Sequence, residues 1–130
     1  MAKGTVLVVD DEVFIVDFLT EVLEAAGYRV YAAADDATLR LARAVQPDLI
    51  LLDIVMPGVG GAELARDLRA DPLTAGIPVV ALTALPDIHT RVAELAVDDY
   101  LTKPFDLDDL LHSIERWSGH RATSVAPLPH

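Results

Sequence analysis

Acids gather early in the chain, where Asp10, Asp11 and Glu12 follow the apolar run Thr5-Val6-Leu7-Val8-Val9. Asp53 closes a second run, Thr83 and Ala84 follow a third, and Lys103-Pro104 follows Tyr100-Leu101-Thr102. Each polar group stands where a hydrophobic run stops. In a parallel sheet these strand ends share one edge, and ligands bind there, at the point where strand order reverses. Crowded carboxylates repel one another unless a cation compensates. Hard oxygen donors of this kind suit Mg²⁺, whereas zinc would want the His or Cys that these loops lack. A lysine and a hydroxyl opposite the metal would neutralise the equatorial oxygens of a phosphoryl group. Taken singly, Asp10 and Asp11 also meet the preference of a helix N-terminus for negative charge. Lys103, one of two lysines, would by itself read as an exposed strand-end charge, and Thr83 as an ordinary hydroxyl. It is their convergence that favours chemistry.

Positioning these groups requires regular alternation. Strand-like runs occur at Thr5–Val9, Tyr28–Ala33, Asp48–Leu52, Ile77–Leu82 and Asp99–Thr102. Val6–Val9, Leu49–Leu52 and Val79–Leu82 are apolar throughout, as strands buried on both faces should be. Between and after them the pattern predicts helices at Asp11–Ala26, Asp36–Val45, Ala62–Ala70, Pro86–Ala96 and Leu107–Ser118. Gly27 stands where the first helix should stop, and Leu107, Leu110, Leu111, Ile114 and Trp117 form one apolar stripe on the last. Five strand–helix repeats predict an α/β fold: a three-layer, doubly wound, five-stranded parallel sheet with right-handed crossovers. Residues 3–118 are expected to form the domain, and 119–130 a flexible C-terminal tail or linker stub.

Composition excludes several classes. The 130 residues hold no cysteine, which removes disulfide scaffolds, thiol nucleophiles and cysteine metal sites. Ten basic residues against 21 acidic ones give a net charge of −11, a surface that repels nucleic acid. No apolar run is long enough to span a bilayer, and the first residues do not form a signal peptide, so a cytoplasmic location is expected. The glycines of Pro57-Gly58-Val59-Gly60-Gly61 make no dinucleotide fingerprint, and His89, His112, His120 and His130 are scattered.

Val8-Val9-Asp10-Asp11-Glu12, Asp53-Ile54-Val55-Met56-Pro57-Gly58, Thr83-Ala84 and Tyr100-Leu101-Thr102-Lys103-Pro104-Phe105 together resemble the receiver domain of two-component response regulators. The resemblance covers the chain from about Lys3 to Ser118, and the four motifs keep their order. It implies a CheY-like, flavodoxin-like sheet of order 2-1-3-4-5. It further implies that Asp53 accepts a phosphoryl group from a sensor histidine kinase or a histidine phosphotransfer protein, forming an acyl phosphate. Asp10, Asp11, Asp53 and the Val55 carbonyl would hold Mg²⁺, and Thr83 and Lys103 would contact the phosphoryl oxygens. Tyr100 would be the aromatic switch that reports movement of Thr83 and Lys103. Two positions depart from the family pattern: Gly60-Gly61 stands where Asp-Gly is usual, and Ala96-Val97 where Gly-Ala is usual.

On the first helix, Val13, Phe14, Ile15, Phe18, Leu19, Val22 and Leu23 span more arc than one sheet face buries. Receiver domains commonly meet their phosphodonors on this helix, which marks Phe14, Ile15 and Phe18 as docking candidates. The expected function is a phosphorylation-dependent switch, not an enzyme acting on other substrates, that changes binding to an output protein as a monomer or a phosphorylation-dependent dimer. An aspartyl-phosphate-type phosphatase would want Asp-x-Asp where Asp10-Asp11 stand adjacent. A non-phosphorylated interaction module would not need Asp53, Thr83 and Lys103 together.

In this family the side chains two positions after the phosphorylated aspartate and two after the threonine flank the attacking water. Here they are Val55 and Leu85, neither of which orients a water by hydrogen bonding. Slow self-dephosphorylation is therefore expected, and Val55→Asn with Leu85→Glu should shorten the phosphoprotein's lifetime. Decay of the phosphorylated mass after donor removal tests this; equal rates in wild type and double variant would show that these side chains do not gate the water.

Overall fold

Side chains alternate faces along a strand, so a strand apolar at every position needs cover on both sides. The computed structural model describes residues 3–34, 37–54, 60–84 and 94–125, with 119–125 as backbone only. Its strands are β1 (Thr5–Val9), β2 (Arg29–Ala33), β3 (Leu49–Asp53), β4 (Val79–Thr83) and β5 (Asp99–Thr102). They form one parallel sheet in the order β2-β1-β3-β4-β5. Among the described residues four helices accompany them: α1 (Val13–Ala25), α2 (Ala37–Val45), α3 (Gly61–Ala70) and α4 (Leu107–Val125). The expected flavodoxin-like topology is the observed one.

The strand alternation divides the core in two. Leu7, Val9, Ile50, Leu52 and Ala81 pack with Ala42 of α2 and with Leu64, Ala65 and Leu68 of α3. Val6, Val8, Leu51, Val80 and Leu82 pack on the other face with Leu19 and Leu23 of α1 and Leu110 and Ile114 of α4. Every residue of β3 and β4 is buried, which anchors the strands that carry Asp53 and Thr83.

Element ends shift for local reasons. The Asp10 carboxylate accepts the Glu12 N–H at 2.9 Å, which makes Glu12 the extended N-cap and starts α1 at Val13 instead of Asp11. Gly27 closes α1 with φ +101, and the Tyr28 N–H returns to the Leu23 carbonyl. The fourth run, expected from Ile77, becomes a strand only at Val79, because the Ile77 N–H is spent in a turn on Thr74 and Pro78 has none. The last helix does not stop at Ser118: its backbone stays helical to Val125, through the first part of the stretch expected to be a tail. Asp36 and most of the Pro86–Ala96 helix lie outside the described residues, while Glu94–Ala96 form a turn.

Gly61 explains one of the two departures from the family pattern. A Cβ there would lie 2.2 Å from the Asp53 carbonyl oxygen and 2.5 Å from Ile54 Cα, whereas nothing lies within 4 Å of a Cβ on Gly60. The close approach is thus required at the second glycine and not at the first. Gly61→Ala should cost about 3 kcal/mol, since the obstruction is backbone. Gly60→Asp, at an N-cap with φ −74 and ψ 144, should be neutral or slightly stabilising. Urea unfolding of both variants checks the pair; equal stabilities would contradict the packing argument.

Candidate functional site

Four strands deliver polar groups to the carboxyl edge. β1 ends before Asp10, β3 ends on Asp53, β4 ends on Thr83, and the chain leaves β5 into Lys103. Backbone pairing extends past the strands: the Ile54 N–H donates to the Leu82 carbonyl, and the Lys103 N–H to the Thr83 carbonyl at 2.8 Å. The Lys103-Pro104 peptide is cis.

Asp10 and Asp53 are each 4% exposed and Thr83 is 1% exposed, while Asp11 faces solvent. Into this edge reaches Lys103, whose Nζ lies 3.1 Å from Asp10 Oδ2, 3.4 Å from Glu12 Oε1 and 3.6 Å from Asp53 Oδ2. Burial works against the lysine charge. The Asp10 hydrogen bond, the Asp53 and Asp10 charges and the Glu12 hydrogen bond together outweigh it and hold the Lys103 pKa above its ordinary value. The ammonium therefore stays charged where three acids need it.

Carboxylate oxygens of Asp10, Asp11 and Asp53 lie within 4.8 Å of one another. The set is all oxygen, two members buried and one open to solvent, which matches a hard cation that keeps several waters. These residues fit Mg²⁺. Val55, expected as a further ligand through its carbonyl, lies outside the described residues, as does Leu85.

Tyr100 is half-buried and packs against the core face that carries α2 and α3. Asp99 ties it to the last helix: one carboxylate oxygen accepts the Tyr100 N–H at 2.8 Å, the other the Trp117 indole N–H at 3.0 Å. The docking trio divides. Ile15 and Phe18 line a cleft of ≈ 470 Å³ beside Lys103, shared with Glu12, Ala84, Pro104 and Phe105. Phe14 is not among its walls and stands 88% exposed beside Val13 at 68%, so part of the apolar arc on α1 is bare. Two site features were not read from the sequence. Glu12 was visible as an acid at the strand end, but its reach to Lys103 was not; the Asp99–Trp117 link carried no local signal at all.

Comparison with known proteins agrees with this geometry. A family model described as "Response regulator receiver domain" matches residues 6–115. Among curated proteins, the chain is 44% identical over 109 residues to the DNA-binding dual master transcriptional regulator RpaA of Synechocystis, covering 82% of the chain and 45% of that protein. It is 42% identical over 117 residues to the phosphate regulon transcriptional regulatory protein PhoB of Pseudomonas aeruginosa, covering 85% of the chain and 50% of that protein. The chain thus spans about half the length of the curated relatives it matches. Two solved structures are similar over nearly their whole length. One is the receiver domain of a sensor histidine kinase from Pseudomonas aeruginosa PAO1 with a magnesium ion coordinated in its active-site cleft (TM-score 0.81, 31% identity, 91% of this chain and 99% of that one). The other is the Vibrio cholerae chemotaxis protein CheY4 (TM-score 0.80, 31% identity, 90% of this chain and 98% of that one).

Lys103→Met removes the ammonium from three carboxylates and should destabilise the chain by about 1–3 kcal/mol in chelator at neutral pH. Mg²⁺ should return part of the loss. Because folding raises the Lys103 pKa, its contribution is complete below the unfolded value of about 10.4 and is lost as pH rises through the higher folded value. The gap between wild type and variant should stay level through neutral pH and close only in alkali. Urea titrations across pH read it, and a variant as stable as wild type at pH 7 would refute the compensating role.

Proposed function

The chain belongs to the response regulator receiver family, and from that premise we propose that it is a phosphorylation-dependent signalling switch with Asp53 as phosphoacceptor. The observation that carries this reading is the placement of Asp53: buried, 3.6 Å from one ammonium, and clustered with two further carboxylates. An Asp53 carboxylate oxygen attacks phosphorus in line, and the phosphorus–nitrogen bond of a phosphohistidine breaks with its electron pair left on the imidazole. The product is an acyl phosphate. Lys103 offsets charge on the transferred oxygens and the Thr83 hydroxyl donates a hydrogen bond to them. Asp10, Asp11 and Asp53, with the Val55 carbonyl, would hold Mg²⁺, which when bound supplies positive charge against the phosphoryl oxygens.

The phosphodonor is a sensor histidine kinase or a histidine phosphotransfer protein, as the family implies. Its docking surface includes Ile15 and Phe18, whose cleft opens beside Lys103, and extends over the bare Phe14. Once Thr83 and Lys103 engage the phosphoryl group, Tyr100 moves and β5 with α4 presents a changed surface to an output protein. Residues 3–118 form the switch, and the helical 119–125 leads from it. The domain acts in the cytoplasm, alone or within a longer regulator, as a monomer or a phosphorylation-dependent dimer. With a net charge of −11 it makes no nucleic-acid contact of its own. No helix among the described residues is long and apolar enough to cross a membrane.

Incubation with a small acyl- or amidophosphate donor, read by intact mass, tests the assignment. Wild type should gain one phosphate only with Mg²⁺, Asp53→Asn should gain none, and Asp10→Asn should need more Mg²⁺. Equal phosphate uptake by Asp53→Asn would place the acceptor elsewhere.

A further inference from the structure

Lys103 has three acidic neighbours, and they are not equivalent. The Asp10 and Asp53 side chains are 0% and 5% exposed, so they lie inside the site; the Glu12 side chain is 60% exposed and lies at its mouth. The lysine side chain between them is 16% exposed. The Glu12 backbone is held on both sides. Its N–H is held by Asp10, and its carbonyl accepts the Ile15 and Val16 N–H groups at 3.1 Å each. As N-cap it makes no side-chain capping bond to α1, and its carboxylate turns to Lys103 instead. Glu12 and Lys103 both border the cleft with Ile15, Phe18 and Phe105, whose apolar walls keep part of the solvent from the pair.

We propose that Glu12 is a positioning residue for Lys103, holding its ammonium at the mouth of the site and partly off Asp53. The inference rests on the metal-dependent reading above and adds a residue to it. An ammonium shared with Glu12 neutralises Asp10 and Asp53 less completely. The carboxylates therefore keep more of their attraction for a divalent cation. Without Glu12, Lys103 settles on Asp10 and Asp53 and competes with Mg²⁺ from inside. Negative charge added at Asp53 by a phosphoryl group reverses the balance, and Lys103 leaves Glu12 for the new oxygens.

Calorimetric titration of Mg²⁺ alone into the full chain separates this role from a simple charge effect. Glu12→Gln should weaken Mg²⁺ binding about two- to fivefold, the range expected of a partly exposed ion pair. Glu12→Asp keeps the charge but is one methylene too short for Lys103, and it should weaken binding as Gln does. In a Lys103→Met background, Glu12→Gln should lose most of its effect. Thermal melts of each variant confirm folding, and the Glu12→Asp comparison does not depend on Lys103→Met. Wild-type affinity in Glu12→Asp, or an equal loss with and without Lys103, would show that Glu12 acts only as a distant charge and overturn the proposal. A wild-type chain that binds no Mg²⁺ would overturn the metal-dependent reading itself, and the inference with it.

Discussion

Asp10 and Asp53 are buried at the end of hydrophobic strands, and burying carboxylates side by side is tolerable only when a cation is buried with them. Lys103 meets that requirement from the far side of the sheet, ninety-three residues after Asp10. The strand order makes this possible: β1 and β3 are neighbours, β4 lies beyond β3, and β5 completes the edge. The acids are therefore brought together by the middle of the sheet, and their compensation arrives with its last strand. An edge assembled from β1 and β3 alone would carry the repulsion without the remedy. Charge compensation thus links the site to completion of the whole sheet.

The same arrangement explains which parts of the structure could be read from residue order. Continuous apolar runs locate β1, β3 and β4, because only a strand covered on both faces tolerates them. With the topology inferred, Asp10, Asp53, Thr83 and Lys103 fall on one edge without any distance being known. Details that depend on contact between distant segments were hidden. Nothing near Gly61 in the chain shows that the end of β3 passes 2.2 Å from where its Cβ would be. Residues 119–125 contain Gly119 and four polar side chains, so they lack the apolar periodicity that predicts a helix, yet the backbone of α4 continues to Val125.

Docking candidates on α1 show the limit of periodicity in another way. Successive helical residues turn by about 100°, so adjacent Phe14 and Ile15 cannot serve the same groove. Ile15 and Phe18, three apart, share the cleft beside Lys103, and Phe14 stands bare next to Val13. The apolar arc is wider than the sheet covers, but it divides into a recessed part and a protruding part. That division follows from where Phe105 and Pro104 approach the helix, which only the folded chain shows.

Trp117 is the only tryptophan in the sequence, half-buried, with its indole N–H on the carboxylate that also holds the Tyr100 backbone. Indole emission responds to the polarity and hydrogen bonding around the ring. The chain thus contains its own optical probe at the junction of β5 and α4, seventeen residues along from Tyr100. A displacement of β5 too small to alter the domain's shape would still change the field at the indole, and the unlabelled protein would register it as a change in colour or brightness.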